Sequence, residues 1–438
     1  MNLSREQQLS FDKYTEGKNI FITGPGGTGK TALIKKMKQH STEHFKNMQV
    51  CALTGCAAVL LGCSAKTLHS WAGIGLASGP IDGIVSRVMR NRYAKTVWKS
   101  VNILVVDEVS MLSKKLFETL DLVGQATRGN KKVFGGIQLI FSGDFYQLPP
   151  VGNKDEPETS QFCFESDLWM RSFSPEDHIE LTKIFRQTDP VYQKILNELR
   201  EGRLKKSSNT ILLNNVNRSL PKDSAIRPTK LYPTRNKVDN INRDEMSKLS
   251  GKIYEFELKY RTDLEMTNVQ RMQRLSFTKE NITTELMYLK GNVRCDSTIC
   301  LKKGAQVMCV VNIPLSNGEI ICNGARGILM DVNEHNLPVV LFNNGYQMTM
   351  AYHVWESENI PGIGISQIPL ISAWALTIHK AQGATLDVAE VDAGSGIFEC
   401  GQTYVALSRI KSLEGLYLSS FDVNRVKINA RVQEFYKS

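Results

Sequence analysis

An α/β fold with parallel sheets follows from three features of the sequence. Short apolar runs recur, each followed by a turn and a helix-compatible segment: Ile20–Ile22, Val50–Leu53, Ile103–Val106 and Gln138–Phe141. Strands apolar on both faces and separated by helices are the mark of a sheet covered on both sides. A second set appears late, at Ile371–Leu376, Ala389–Val391 and Leu416–Leu418, with helical stretches at Phe398–Ile410 and Val423–Tyr436. The third feature is a glycine-rich turn directly after the first run.

That turn reads Gly24-Pro25-Gly26-Gly27-Thr28-Gly29-Lys30-Thr31, between the run Ile20–Ile22 and a helix-compatible segment from Ala32 to Gln39. Glycines let the backbone bring its amides close to phosphate oxygens, and the helix N-terminus adds partial positive charge. Lys30 supplies a full charge for the β- and γ-phosphates, and Thr31 offers a hydroxyl to Mg²⁺. The sequence therefore predicts a Mg-ATP site.

The next run, Ile103–Val106, ends in Asp107-Glu108. After a phosphate loop this is a Walker B arrangement: Asp107 serves Mg²⁺ and Glu108 orients and deprotonates the attacking water. The run Gln138–Phe141 leads into Ser142-Gly143-Asp144-Phe145-Tyr146-Gln147-Leu148-Pro149-Pro150. An amide can bond both a phosphate oxygen and a water, which makes Gln147 the candidate γ-phosphate sensor.

Between the two α/β sets the texture changes. Gln306–Val311, Gly327–Val332, Pro338–Phe342 and Tyr346–Met350 are short β-rich pieces, and Asn317-Gly318, Asn323-Gly324 and Asn344-Gly345 are tight-turn dipeptides. They predict a small β-barrel inserted into the second α/β domain. Residues 254–300 are polar with no clear period, and no internal repeat or low-complexity tract is present.

The bulk properties fit this picture. A chain of 438 residues accommodates two to four domains at roughly 100–200 residues each. Its net charge of +10 favours a polyanionic partner, although the charge is spread along the chain without a basic tail. Nine cysteines, at 51, 56, 63, 163, 295, 300, 309, 322 and 400, are irregularly spaced and suit reduced thiols. A zinc site could be drawn from Cys295, Cys300, Cys309 and Cys322, but the CxxC pairs of zinc ribbons are missing, which favours buried structural cysteines. Met1 to Gln8 lacks the apolar core of a signal peptide, and no run of 18 apolar residues exists. The expectation is a reducing intracellular compartment: cytoplasm, nucleus or a viral replication site.

With these motifs in order, the chain resembles the Pif-one (petite integration frequency) family of superfamily 1 DNA helicases. Leu3-Ser4-Arg5-Glu6-Gln7 looks like its Q motif, which makes Gln7 the adenine reader. Leu53-Thr54-Gly55-Cys56-Ala57-Ala58 and Thr67-Leu68-His69-Ser70-Trp71 resemble motif Ia and the adjoining strand-contacting element. The stretch from Leu120 through Phe134-Gly135-Gly136-Ile137 is similar to the family signature, and Leu181 to Gln187 to motif IV. Ala373 to Gly383 matches motif V and Thr403 to Arg409 matches motif VI.

The resemblance implies two RecA-like P-loop NTPase domains. The first covers 1–187, with a wedge insertion at about 79–95. The second is formed by 188–253 and 356–438, and 254–355 is an inserted subdomain with an SH3-like β-barrel at about 304–352. It implies a 5′-to-3′ DNA helicase, acting as a monomer on single-stranded and forked duplex DNA. Arg186, at the end of the first span, and Arg409, from the second domain, would stabilise charge on the transferring phosphoryl group, and Gln382 and Gly383 would join the nucleotide site. Thr54, His69, Ser70, Thr377, His379 and Lys380 are the candidate DNA contacts. Trp71 and Trp374 lie in apolar runs and are expected in the core. A translocase without strand separation shares every one of these motifs, whereas a nucleotide switch or small-molecule kinase leaves motifs IV to VI unexplained.

Overall fold

The computed structural model describes residues 3–437 apart from 55–56, 59–60, 62, 76, 78, 154, 220–227, 294, 316–319, 322–323 and 358. The expected turn Asn317-Gly318, Asn323 of the next turn, Gly55-Cys56 of motif Ia and Cys322 lie outside the described residues. The chain divides into two compact units. The first is Met1–Ile211, Ile397–Leu413 and Asp422–Ser438; the second is Leu212–Gly396 and Glu414–Phe421.

The first unit is built on a six-stranded parallel sheet. Its strands run in the order Lys66–Thr67, Met48–Ala52, Ile103–Asp107, Gln138–Ser142, Ile20–Thr23 and His178–Glu180. Because successive side chains alternate across a strand, each strand serves two cores. Phe21, Leu104, Val106, Leu139 and Phe141 meet Trp98, Phe117, Leu120, Phe134 and Trp169 on one face. Ile20, Ile22, Ile103, Val105 and Ile140 meet Tyr14, Leu33, Ile34 and Met37 on the other. Burial on both faces is why these runs carry no polar alternation. The segment expected as a wedge forms the helices Ile81–Arg90 and Arg92–Ser100, anchored in the first core by Ile84, Val88 and Trp98.

The second unit holds a four-stranded parallel sheet in the order Ala375–Thr377, Thr229–Tyr232, Ala389–Ala393 and Leu416–Phe421. It also holds a five-stranded antiparallel sheet in the order Gln347–Thr349, Pro338–Phe342, Arg326–Val332, Gln306–Cys309 and Leu370–Ser372. The run Ile371–Leu376, expected as one strand, is therefore two. Ala373 and Trp374 carry the chain from one sheet to the other: Thr229 Oγ1 and Gln306 Nε2 both donate to the Ala373 carbonyl at 3.0 Å. Residues 254–300 form the strands Tyr254–Glu257, Lys259–Arg261 and Thr298–Leu301 and the helices Asn268–Arg274 and Lys279–Asn292. Leu286 of the longer helix joins Ile360, Ile363 and Ile365 in a small core.

Two late helices are shorter than the sequence suggests, Gln402–Leu407 and Ala430–Phe435, and both pack in the first unit. Every residue of Gln402–Leu407 is buried, and Tyr192 Oη donates to the Leu407 carbonyl at 2.8 Å. The division into compact units thus departs from the expected boundaries: 188–211, 397–413 and 422–438 side with the phosphate loop. Arg409, assigned to the second domain from the sequence, belongs to the first unit together with Arg186.

Candidate active site

The strand Ile20–Thr23 delivers the chain into the glycine-rich turn. Gly24, at φ +129°, leaves no room for a side chain, since a Cβ there would collide with the Leu181 carbonyl oxygen. At Gly27, φ +89°, a Cβ would stand 2.6 Å from the Cβ of Arg186. The turn is braced internally: Thr28 Oγ1 donates to the Pro25 carbonyl at 2.9 Å, and Lys30 Nζ to the carbonyls of Gly24 at 2.6 Å and Pro25 at 3.1 Å. The helix Lys30–Glu43 starts on Gly29 with no side-chain cap, so its first-turn amides are offered to an anion. Thr31 is exposed in that first turn.

Gln7 is fully buried beneath this turn. Its Nε2 donates to the Thr28 carbonyl at 3.1 Å, and its Oε1 accepts from the Ser4 amide at 3.0 Å, closing the capping box of the helix Arg5–Thr15. The side chain expected to read adenine is thus also a brace for the loop.

Asp107 and Glu108 end the neighbouring strand. Asp107 accepts from Ser142 Oγ at 2.7 Å, and burial together with the adjacent Glu108 pushes its carboxyl up to about 6. Glu108 sits at φ 56°, in the left-handed region, which costs a non-glycine residue about 1–3 kcal/mol. The next strand end explains how that turn is held: a Cβ on Gly143 would stand 2.8 Å from the Val109 amide, so the two turns touch backbone to backbone. Beyond Gly143, Gln147 is buried and its amide donates to the Asp144 carbonyl at 2.9 Å. The buried Oε1 of Gln147 has no hydrogen-bond partner among the described residues.

Both arginines reach the same loop. A Cβ on Gly26 would lie 3.3 Å from Arg409 Nη2 and 3.7 Å from Arg186 Nη1. Arg409 donates to the Val405 carbonyl at 3.0 Å and to Ser408 Oγ at 2.8 Å, and Arg186 to the Ser408 carbonyl at 3.1 Å. Burial lowers the proton affinity of both, and for Arg186 the neighbouring Arg409 adds to the effect. Burial also lowers that of Lys30, against the pull of Asp144, Glu108 and Asp107. Three desolvated cations resting on neutral oxygens favour an incoming polyanion.

Sequence reasoning missed the support behind this centre. Asp144, fully buried, pairs with Arg200 Nε at 2.9 Å, and Tyr404 Oη accepts from the Gly26 amide at 2.9 Å while facing Asp144 Oδ2 at 3.4 Å. Arg200 follows no motif, and its helix, Pro190–Arg200, reads only as amphipathic.

The DNA candidates form separate groups. In the first unit Thr54 Oγ1 accepts from the Ala57 amide at 3.2 Å, and His69 and Ser70 lie on the short helix Leu68–Ala72. His69 faces a cavity of about 230 Å³ shared with Leu53, Met111, Lys115 and Thr159, and burial lowers its proton affinity. In the second unit Thr377 caps the helix Ile378–Ala381 by accepting from the Lys380 amide at 3.1 Å, and His379 and Lys380 are exposed. Gln382 and Gly383, assigned to the nucleotide site, follow that helix in the second unit. Trp71 and Trp374 are buried as expected, Trp71 with its ring 4.5 Å from that of Trp98.

The PIF1-like helicase family model matches residues 2–213. The ATP-dependent DNA helicase PIF1 of Xenopus laevis is 36% identical over 446 residues, covering 100% of this chain and 64% of that protein. The crystal structure of Pif1 helicase from Candida albicans is similar with a TM-score of 0.78 and 32% identity, covering 100% of this chain and 99% of that one. Pif1 helicase from Bacteroides, solved in complex with ADP-AlF3 and ssDNA, is similar with a TM-score of 0.68 and 26% identity over 100% of this chain and 97% of that one. The chain spans 61–65% of the length of the curated PIF1 and RRM3 helicases it matches. On this agreement of motifs, fold and relatives, the chain belongs to the PIF1-like helicase family.

Proposed function

We propose that this chain is an ATP-dependent DNA helicase that moves 5′ to 3′ along single-stranded DNA and unwinds duplex or structured DNA. One observation carries the reading: Lys30, Arg186 and Arg409 converge on the phosphate loop beside Asp107 and Glu108. A site with a buried Arg409, half-buried Lys30 and Arg186 and an uncapped helix N-terminus suits a triphosphate. Thr31 and Asp107 would hold Mg²⁺, which neutralises phosphate charge when bound. Glu108 takes a proton from the attacking water and Gln147 orients it. Lys30, Arg186 and Arg409 balance charge on the transferring group. The adenine-reading role of Gln7 rests on the family resemblance and would use the second Nε2 proton and the second Oε1 lone pair.

The nucleic-acid half of the reading draws on family membership and on the Bacteroides relative, which was solved with a single strand. Thr54, His69, Ser70, Thr377, His379 and Lys380 are proposed to contact the strand, and Gln382 and Gly383 to bind nucleotide. Two RecA-like domains, an SH3-like role for the antiparallel sheet and a wedge role for the helices within 79–95 belong to the same proposal. So do action as a monomer and a reducing compartment, which the irregular spacing of the nine cysteines suits. No helix among the described residues is long and apolar enough to cross a membrane.

The test compares ATP turnover with single-stranded DNA, duplex and RNA, using the wild-type chain and Glu108→Gln. Single strands should stimulate the wild type most, and Glu108→Gln should bind nucleotide while losing roughly 10²- to 10⁴-fold in turnover. A partial duplex with a 5′ tail should open and its 3′-tailed counterpart should not. Normal hydrolysis by Glu108→Gln sinks the catalytic assignment, and a 3′-tail preference sinks the polarity.

A further inference from the structure

The helix Ala430–Phe435 brings an aromatic pair to the back of the ATPase centre from the far end of the sequence. Phe435 packs on Phe145 and Phe164, with ring centroids at 5.3 and 4.4 Å. Tyr436 stacks on Tyr146, centroids 4.9 Å apart and planes 11° apart. The Tyr436 hydroxyl lies 2.6 Å from Thr23 Oγ1 and accepts from the Phe145 amide at 3.2 Å. Thr23 is the last strand residue before the phosphate loop, and Phe145 and Tyr146 immediately precede Gln147. One phenol therefore ties the root of the loop to the root of the sensor turn.

Arg200 holds the same turn from another side. Its guanidinium lies over the Tyr146 ring at 4.8 Å and the Tyr436 ring at 5.5 Å while pairing with Asp144 at 2.9 Å and Glu180 at 3.1 Å. Asp144 in turn accepts from the Tyr146 amide through Oδ1 at 3.2 Å, and from the Gln147 amide through its carbonyl at 2.9 Å. In a buried setting each of these polar groups needs its partner, because water does not replace one that is lost.

We propose that Tyr436 is a positioning residue for nucleotide hydrolysis: its hydroxyl fixes the Gln147 turn to the strand that feeds the phosphate loop, with Arg200 as its buttress. The inference rests on the ATPase reading above and adds to that site two residues that act through others. Its physical basis is the steep dependence of rate on placement, where a shift of about 1 Å can cost roughly 10²-fold.

The experiment uses the full chain as wild type, Tyr436→Phe, Thr23→Val and the double variant. It measures kcat and KM for ATP with saturating single-stranded DNA, Tm, and amide hydrogen exchange over 143–147. Tyr436→Phe keeps the ring but takes a partner from the Thr23 hydroxyl and the Phe145 amide, so Tm should drop modestly and KM stay near wild type while kcat falls roughly 10- to 10²-fold and 143–147 exchange faster. The double variant should be no slower than the slower single one, since both break the same link. Wild-type kcat with unchanged exchange in Tyr436→Phe overturns the proposal. A kcat loss that disappears when each variant is assayed at the same interval below its own Tm, or fully additive losses in the double variant, also overturns it. Glu108→Gln, run alongside, separates the two failures: if no DNA-stimulated turnover exists at all, the ATPase reading falls, and hydrogen exchange still decides whether Tyr436 holds the turn.

Discussion

Two strand ends, one in each unit, are built alike and present their histidines differently. Thr67-Leu68-His69-Ser70 and Thr377-Ile378-His379-Lys380 both close a strand with a threonine that caps a short helix, accepting from the third residue on at 3.3 and 3.1 Å. In both, the aliphatic residue is buried and the histidine follows it. His69 is half-buried beside a cavity, whereas His379 is exposed. A third strand end, at the phosphate loop, departs from both: Gly29 replaces the capping threonine and leaves the helix amides open. The same topological place thus makes an anion cradle when uncapped and a rigid ledge when capped. On the proposed reading, chemistry belongs to the first kind and grip to the second.

The largest expected effect breaks the cradle without touching the ledges. Arg409→Lys keeps the charge but gives up the planar fork that now meets Val405 and Ser408 together. ATP and DNA binding should persist while single-turnover hydrolysis slows by up to roughly 10³-fold, the low end for arginine fingers. Unchanged chemistry with a lower Tm would make Arg409 a structural residue and pass the catalytic role to Arg186.

The ledges come next. Alanine at His69 or His379 should weaken single-strand binding several-fold or uncouple hydrolysis from unwinding, leaving unstimulated ATPase nearly intact. Affinity should fall steeply with salt, as phosphate contacts require. Salt-insensitive binding, with both variants unwinding like wild type, would remove the histidines from the track.

The smallest effect sharpens the contrast between the histidines. Burial depresses the proton affinity of His69 in the folded chain, so the unfolded chain binds that proton first as pH falls. Its contribution to stability is present above the ordinary histidine value and is lost as pH drops through the depressed folded value. Between pH 7.5 and 5.5, Tm should therefore fall less in His69→Gln than in wild type. Equal slopes in thermal melts would show that His69 carries no such penalty.

The cradle was legible because its parts are local: Gly24 to Thr31 and Asp107-Glu108 each declare themselves within a few residues. Its support was not. Arg200 reaches Asp144 across 56 residues and Tyr436 reaches Phe145 across 291, distances at which spacing carries no signal. Motif VI was found, yet its place in the first unit was not, since burial of Gln402–Leu407 depends on packing rather than on pattern. The helix Asn268–Arg274 escaped for a different reason: it is seven residues long and buries none of them, and its two apolar residues, Val269 and Met272, are too few to set a period. The run Ile371–Leu376 looked continuous because both of its halves are buried, in different sheets.

That division has a mechanical meaning. Leu370–Ser372 belongs to the antiparallel sheet and Ala375–Thr377 to the parallel one, with two residues between them and the Ala373 carbonyl clamped from both sides. A joint so short has no slack. We therefore expect a tilt of the antiparallel sheet to reach Thr377 and the ledge carrying His379 and Lys380, the place proposed to grip the strand.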